Sequence, residues 1–162
     1  MSNASLELTA EQKLERLGYQ IEKVTPEGNL VQAVAIDGLT LYASGQVPFD
    51  GDILVSKGKV ASQVSVEQAV EAAALCAANV LRAVRRRLGS LEKIERVIRI
   101  TGYVNVDPDF TDAHLVINGA SQLVLEVFGE RGRHARTALG MAQLPLGAST
   151  EIEMILRLKP NS

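Results

Sequence analysis

The chain has 162 residues, 46% apolar and 22% charged and without tryptophan, which is the length and composition of one globular domain with an aliphatic core. Seventeen basic against nineteen acidic side chains leave a formal net charge of −2, which argues against a nucleic-acid binder, since such proteins carry a basic excess to displace counterions from phosphates. One cysteine, Cys76, excludes an internal disulfide and a thiolate metal cluster, and two histidines are too few for a His-rich metal site.

No apolar run approaches the roughly 20 residues needed to cross a bilayer. The opening MSNASLELTAEQKLERLG lacks a basic region followed by an apolar stretch, so no membrane association and a cytoplasmic location are expected.

In chain order, Thr9 and Gln12 have the spacing of a capping box, and Gly18 is placed to end the short helix that follows. NLVQAVAIDGLTLYASGQVP holds two β-rich runs about Asp37-Gly38, a dipeptide suited to a two-residue hairpin turn, and predicts strands near 30–36 and 39–44. From Pro48 to about Val64, Gly, Asp, Lys and Ser dominate, which predicts a loop with room for a short edge strand. Ser65 and Gln68 repeat the capping-box spacing. Val66, Ala69, Val70, Ala73, Ala77, Val80, Leu81, Val84 and Leu88 then recur at helical intervals up to a stop at Gly89. Cys76 falls inside this helix and reads as a small buried hydrophobe. Arg82, Arg85, Arg86 and Arg87 lie in its last turns, where cations oppose the helix dipole for about 0.3–1 kcal/mol each, a reading preferred to a phosphate-binding patch.

VIRITGYVNV alternates. Ile98, Ile100, Gly102, Val104 and Val106 are expected on one face, and Arg99, Thr101, Tyr103 and Asn105 on the other. Asp107-Pro108 makes the turn after it. A second long helix is predicted over about 111–128, with Leu115, Ile117, Leu123, Val124, Val127 and Phe128 on its apolar side. Strands near 135–142 and 150–158, joined through Pro145 and Gly147, close the chain. The order defines an α+β domain with a mixed or antiparallel sheet and two long helices on one face. The other face is expected to be partly apolar through Ile152, Met154, Leu156 and Leu158, which predicts self-association. No GxGxxG or Walker loop is present.

GNLVQAV, ASGQVP, the helix containing Asn79, YVNVDPDF and above all HARTALGMAQLPLGASTEIE resemble the Rid family, the RidA-like reactive-intermediate deaminases. The family's closing signature, approximately P-A-R-S-x-V-x-V-x-x-L-P and then E-I-E, reads here His134-Ala135-Arg136-Thr137, Leu144-Pro145 and Glu151-Ile152-Glu153. The resemblance spans about residues 24–158, which leaves 1–23 as an N-terminal extension with a short helix on a single domain, 1–162, of a longer subgroup. It implies a chorismate-mutase-like fold, three subunits packed through their bare sheet faces into a barrel, and clefts between neighbours. It further implies hydrolysis of 2-imino and 2-enamino acids to 2-keto acids and ammonia, with no cofactor. Carried over, Arg136 grips the substrate carboxylate and Glu151 contacts the attacking water. Gly45 lines the cleft with its backbone, and Asn118 lies near the family's helix asparagine. Two positions depart from the family. Leu30 stands where a tyrosine is usual, and Ala138 where a cysteine is common.

The chemistry suits these residue types. A guanidinium meets a carboxylate as a planar, permanently charged fork, and fixing the carboxylate fixes the imine carbon. A glutamate that takes a proton from the attacking water contributes typically about 10²–10⁴-fold. Glu153 shares a strand face with Glu151 and is the alternative contact to water. On bare pattern, an Arg and a Glu on neighbouring strands are more often just a cross-strand ion pair. His134 reads as a structural or interface residue, His114 as surface, and Tyr42 and Tyr103 as packing. The alternative is a module that holds a small carboxylate such as a 2-keto acid without turnover; the acidic balance and the lack of a histidine pair for acid–base work argue against an endoribonuclease.

Overall fold

The computed structural model describes residues 7–160. Helix α1 (Ala10–Arg16) starts in a complete capping box, with Thr9 Oγ1 accepting from the Gln12 N–H and the Gln12 side chain accepting from the Thr9 N–H. Leu14 is fully buried, and the Leu91 N–H and Ser90 hydroxyl both donate to Glu11, so this helix is fastened to the rest of the domain. Strands β1 (Val34–Asp37) and β2 (Thr40–Gln46) form the hairpin, turning at Gly38 with φ +57°. The loop carries a separate two-stranded ribbon, β3 (Phe49–Asp50) with β4 (Ile53–Leu54). Helix α2 (Val66–Leu88) opens on the second complete capping box and stops at Gly89 in the left-handed region. Then come β5 (Ile94–Asn105), α3 (Ala113–Phe128), β6 (Ala135–Met141) and β7 (Thr150–Leu158).

The main sheet has the order β1-β2-β7-β5-β6. All neighbours are antiparallel except β5 and β6, which are parallel because α3 carries the chain back before β6 begins. Helices α2 and α3 lie on one face. Their buried residues, among them Ala73, Ala77, Val80, Leu81, Val116, Ile117 and Val124, pack with Leu41, Val97, Ile100, Val104, Ile152, Met154 and Leu156. The alanines of α2 permit a close approach. At Gly119 of α3, a Cβ would collide with the Val70 carbonyl oxygen of α2. Ala for Gly in a helix interior normally gains up to about 1 kcal/mol, but here overpacking costs about 1–3 kcal/mol. Gly119→Ala is therefore expected to lower the urea midpoint; a rise would show that the two helices are not in contact there. No helix among the described residues is long and apolar enough to cross a membrane.

Several expectations are corrected. Residues 30–33 precede the first strand, which begins at Val34. Ile152, Met154, Leu156 and Leu158 face the helices, and the bare face of β7 carries Glu151, Glu153, Ile155 and Arg157. Because β7 sits in the centre of the sheet, its apolar side is the one that the core claims. The uncovered face is thus largely polar, with Tyr42, Arg99, Thr101 and Tyr103 beside those glutamates, and apolar pattern gives no reason for self-association. A bulge between Val97 and Arg99 makes Val97, not Ile98, the inward residue. Asn105 is buried, accepting from Lys59 Nζ at 3.0 Å and donating to the Ala148 carbonyl at 3.1 Å. Leu115 is exposed. Arg82 is not one of the last-turn cations, which are Arg85, Arg86 and Arg87. It is 2% exposed and donates to the Gln20 carbonyl and Asn79 Oδ1, while Asn79 holds the Val47 and Phe49 carbonyls. Cys76 is fully buried, and that burial pushes its thiol up, away from reactivity.

Candidate functional site

Arg136 lies on edge strand β6 in register with the buried Ile100, so its side chain rises on the helix side of the sheet. There it meets one face of α3. Residues 114, 118 and 121 are spaced i, i+4 and i+7 and line up along that face. Arg136 Nη1 donates to Asn118 Oδ1 at 2.8 Å and to Ser121 Oγ at 3.2 Å, and Nη2 donates to the His114 carbonyl at 3.3 Å. All three acceptors are neutral. Among the described residues no carboxylate pairs with Arg136, so its charge is held in place without being cancelled. Nε and the second Nη2 N–H are left without acceptors among those residues, and Nε and Nη2 share the guanidinium edge that meets a carboxylate side-on.

Glu151, the second residue of β7, lies opposite Tyr103 of β5 on the bare face. A Cβ at Gly45 would collide with its carboxylate, so the glycine of β2 leaves the space that Glu151 fills. The Tyr103 hydroxyl donates to Glu153 at 3.2 Å. Burial, and then the Glu153 carboxylate, raise the Glu151 pKa; burial and the same carboxylate raise that of Tyr103. A folded-state pKa above the unfolded one means that the fold holds the protonated acid better. Stability from this group is present at acid pH and is lost as pH rises from the ordinary carboxylate range through the raised value. Glu151→Gln is therefore expected to gain melting temperature relative to the parent as pH rises from about 4 to neutrality. A constant difference across that range would refute the shift.

The remaining candidates divide between these two places. Asn118 holds Arg136. Ala138 lies two residues along the same strand, beside Gly102 and packed against the core. Gly45 lies with Glu151 on the other face. Leu30 is 99% exposed, ahead of β1. One chain thus does not bring Arg136 and Glu151 together. They are on opposite faces, and β5 stands between their strands, a lateral separation of about 10 Å. A groove of about 660 Å³ between α2 and α3 is walled by Asn118 and Ser121, but Arg136 is not in its lining. A cleft of about 740 Å³ under the β3–β4 ribbon contains none of the site residues. Sequence reading missed Ser121, the His114 carbonyl and the Tyr103–Glu153 contact. The legible signal for Ser121 was the polar file at 114, 118 and 121, on a different face from the paired Gln122 and Glu126.

Residues 11–157 match the family described as "YjgF/chorismate mutase-like, putative endoribonuclease". A Trypanosoma cruzi protein, TCP17, is 39% identical over 147 residues, 90% of this chain and 91% of that one. A crystal structure of a protein of unknown function from Agrobacterium tumefaciens is 44% identical, with 93% of this chain and 92% of that chain covered and a TM-score of 0.86. A Shewanella oneidensis structure bearing the endoribonuclease designation is 27% identical, with 93% and 100% covered and a TM-score of 0.88. The chain belongs to the YjgF/chorismate-mutase-like family, which is the Rid family of the closing signature.

Proposed function

We propose that the protein is a cofactor-free deaminase that hydrolyses 2-imino and 2-enamino acids to 2-keto acids and ammonia, in sites shared between the subunits of a homotrimer. One observation carries the reading: a guanidinium oriented by three neutral oxygens, with no carboxylate partner and one edge of its fork open among the described residues. The structural Arg82 also has neutral partners, but it is 2% exposed, whereas Arg136 is half-exposed and so is prepared for a small carboxylate from solution.

The chemistry follows from the two groups. Arg136 fixes the substrate carboxylate and with it the adjacent C=N carbon. Water attacks that carbon as Glu151 accepts one of its protons, and Glu151 is a stronger base for its raised pKa. Glu151 returns that proton to the nitrogen of the resulting carbinolamine. The carbinolamine hydroxyl gives up its own proton to the nitrogen as the C–N bond breaks, so nitrogen leaves as ammonia and the carbon keeps oxygen as the ketone. A 2-enamino acid first takes a proton from solvent on carbon to become the imine. Since Glu151 of the same chain lies across the sheet, the glutamate that meets a given Arg136 comes from a neighbour. The loss of the family tyrosine hydroxyl at Leu30 favours a second reading, in which the same site holds a 2-keto acid without turnover.

The test generates imino acids in situ with an amino-acid oxidase and follows ammonia release, alongside thermal shifts with pyruvate. Accelerated release supports the deaminase. A thermal shift without acceleration supports the binding module. Neither result, together with RNA cleavage, would leave the relatives' endoribonuclease designation as the description.

A further inference from the structure

We infer that Ser121 and His134 are positioning residues for Arg136, linked in a hydrogen-bond chain of fixed direction. The inference rests on the reading of Arg136 as the carboxylate anchor.

The direction follows from counting donors. His134 Nδ1 lies 2.6 Å from the Gly132 carbonyl oxygen, which only accepts, so Nδ1 carries the proton. In the neutral ring Nε2 is then a bare acceptor, and it lies 3.0 Å from Ser121 Oγ. Ser121 therefore donates its one proton to His134, which leaves its oxygen lone pairs for the Arg136 Nη1 N–H at 3.2 Å. Every donor in the chain has an acceptor, and every link runs one way, from Arg136 through Ser121 and His134 to the backbone at Gly132.

The consequence falls on the guanidinium. Nη1 has two N–H groups, one spent on Asn118 and the other on Ser121. With both engaged, the plane of the group cannot rotate about its stem, and the open edge of Nε and Nη2 keeps one aim. Asn118 is exposed and the His114 carbonyl takes one Nη2 N–H at 3.3 Å, whereas Ser121 is half-buried and adds the third point by engaging the second Nη1 N–H. A serine inside a helix otherwise tends to turn its hydroxyl onto the carbonyl one turn back. His134 supplies the competing acceptor that keeps the lone pairs toward Arg136. His134 stands where the closing signature has proline, a residue that offers no such acceptor.

The experiment compares the parent with Ser121→Ala, Ser121→Thr, His134→Leu and Arg136→Ala. Deaminase kinetics and calorimetric pyruvate binding are measured on each, and the imidazole ¹⁵N signals of His134 are recorded on the parent. Ser121→Ala and His134→Leu are expected to raise KM and the pyruvate Kd about three- to tenfold, the size of one lost hydrogen bond, with kcat much less affected. Ser121→Thr, which keeps the hydroxyl, restores both. Ser121→Ala adds nothing in an Arg136→Ala background. The ¹⁵N signals show Nδ1 protonated and Nε2 bare, a reading that needs no variant to fold. Parental KM and Kd in Ser121→Ala, or an Nε2–H tautomer in the parent, overturns the proposal. If Arg136→Ala also binds pyruvate like the parent, the anchor reading fails as a whole. If Arg136→Ala alone loses pyruvate, only the positioning chain is wrong.

Discussion

Arg136→Ala is expected to reduce kcat/KM for imino-acid hydrolysis by about 10²–10⁴-fold. The open edge of the guanidinium offers two charge-assisted hydrogen bonds to a carboxylate, and such bonds are worth about 1.5–3 kcal/mol each. Each 1.36 kcal/mol is tenfold in rate, so losing the pair gives about that range. Arg136→Lys separates charge from geometry. It keeps a cation near α3 but presents a point charge in place of the fork, so activity should fall between the parent and the alanine variant. Stability should change far less, because the residue is half-exposed on an edge strand and its partners are neutral and near solvent. Kinetics and urea denaturation on the same preparations separate the two effects. Parental kcat/KM in Arg136→Ala would remove the anchor and leave only the fold.

What the sequence disclosed and what it hid have a common physical origin. Capping boxes at Thr9 and Ser65 are local chemistry, and both stand in the structure with every hydrogen bond made. Asp37-Gly38 is equally local and turns where its dihedral preferences require. The period-two pattern of β7 was legible, but a pattern fixes only that alternate residues face opposite ways. Which face receives the helices depends on the strand's place in the sheet, and β7 lies centrally between β2 and β5. The bulge after Val97 was invisible because one extra residue shifts pairing without altering composition. Arg82 was misplaced for a related reason: its partners are the Gln20 carbonyl and Asn79, one of them 62 residues away. The site divided in the same manner. Arg136 and Glu151 could be named from an ordered motif, whereas their lying on opposite faces follows from register: Arg136 pairs with Ile100 and Glu151 with Tyr103, an odd number of residues apart on β5.

That opposition leads to the other large effect. Arg136→Ala and Glu151→Gln should each be nearly inactive alone, the second because loss of a general base costs about 10²–10⁴-fold. Refolded or co-expressed together in equal amounts, they are expected to recover about one quarter of parental activity. A shared site draws its arginine from one subunit and its glutamate from the next. It is intact when the first comes from the Glu151→Gln chain and the second from the Arg136→Ala chain, which random assembly gives about one time in four. The fraction does not depend on the number of subunits, so the result tests the shared site without assuming a trimer. Were both groups to serve one ligand within a single chain, no mixed assembly would contain an intact site and activity would stay at the background of the two variants. Mixing under conditions that prevent subunit exchange supplies the control, because recovery there cannot come from new interfaces. Recovery only after exchange would therefore explain why a single chain carries a poised guanidinium and a destabilised carboxylate on opposite sides of one sheet: each waits for its counterpart on another copy.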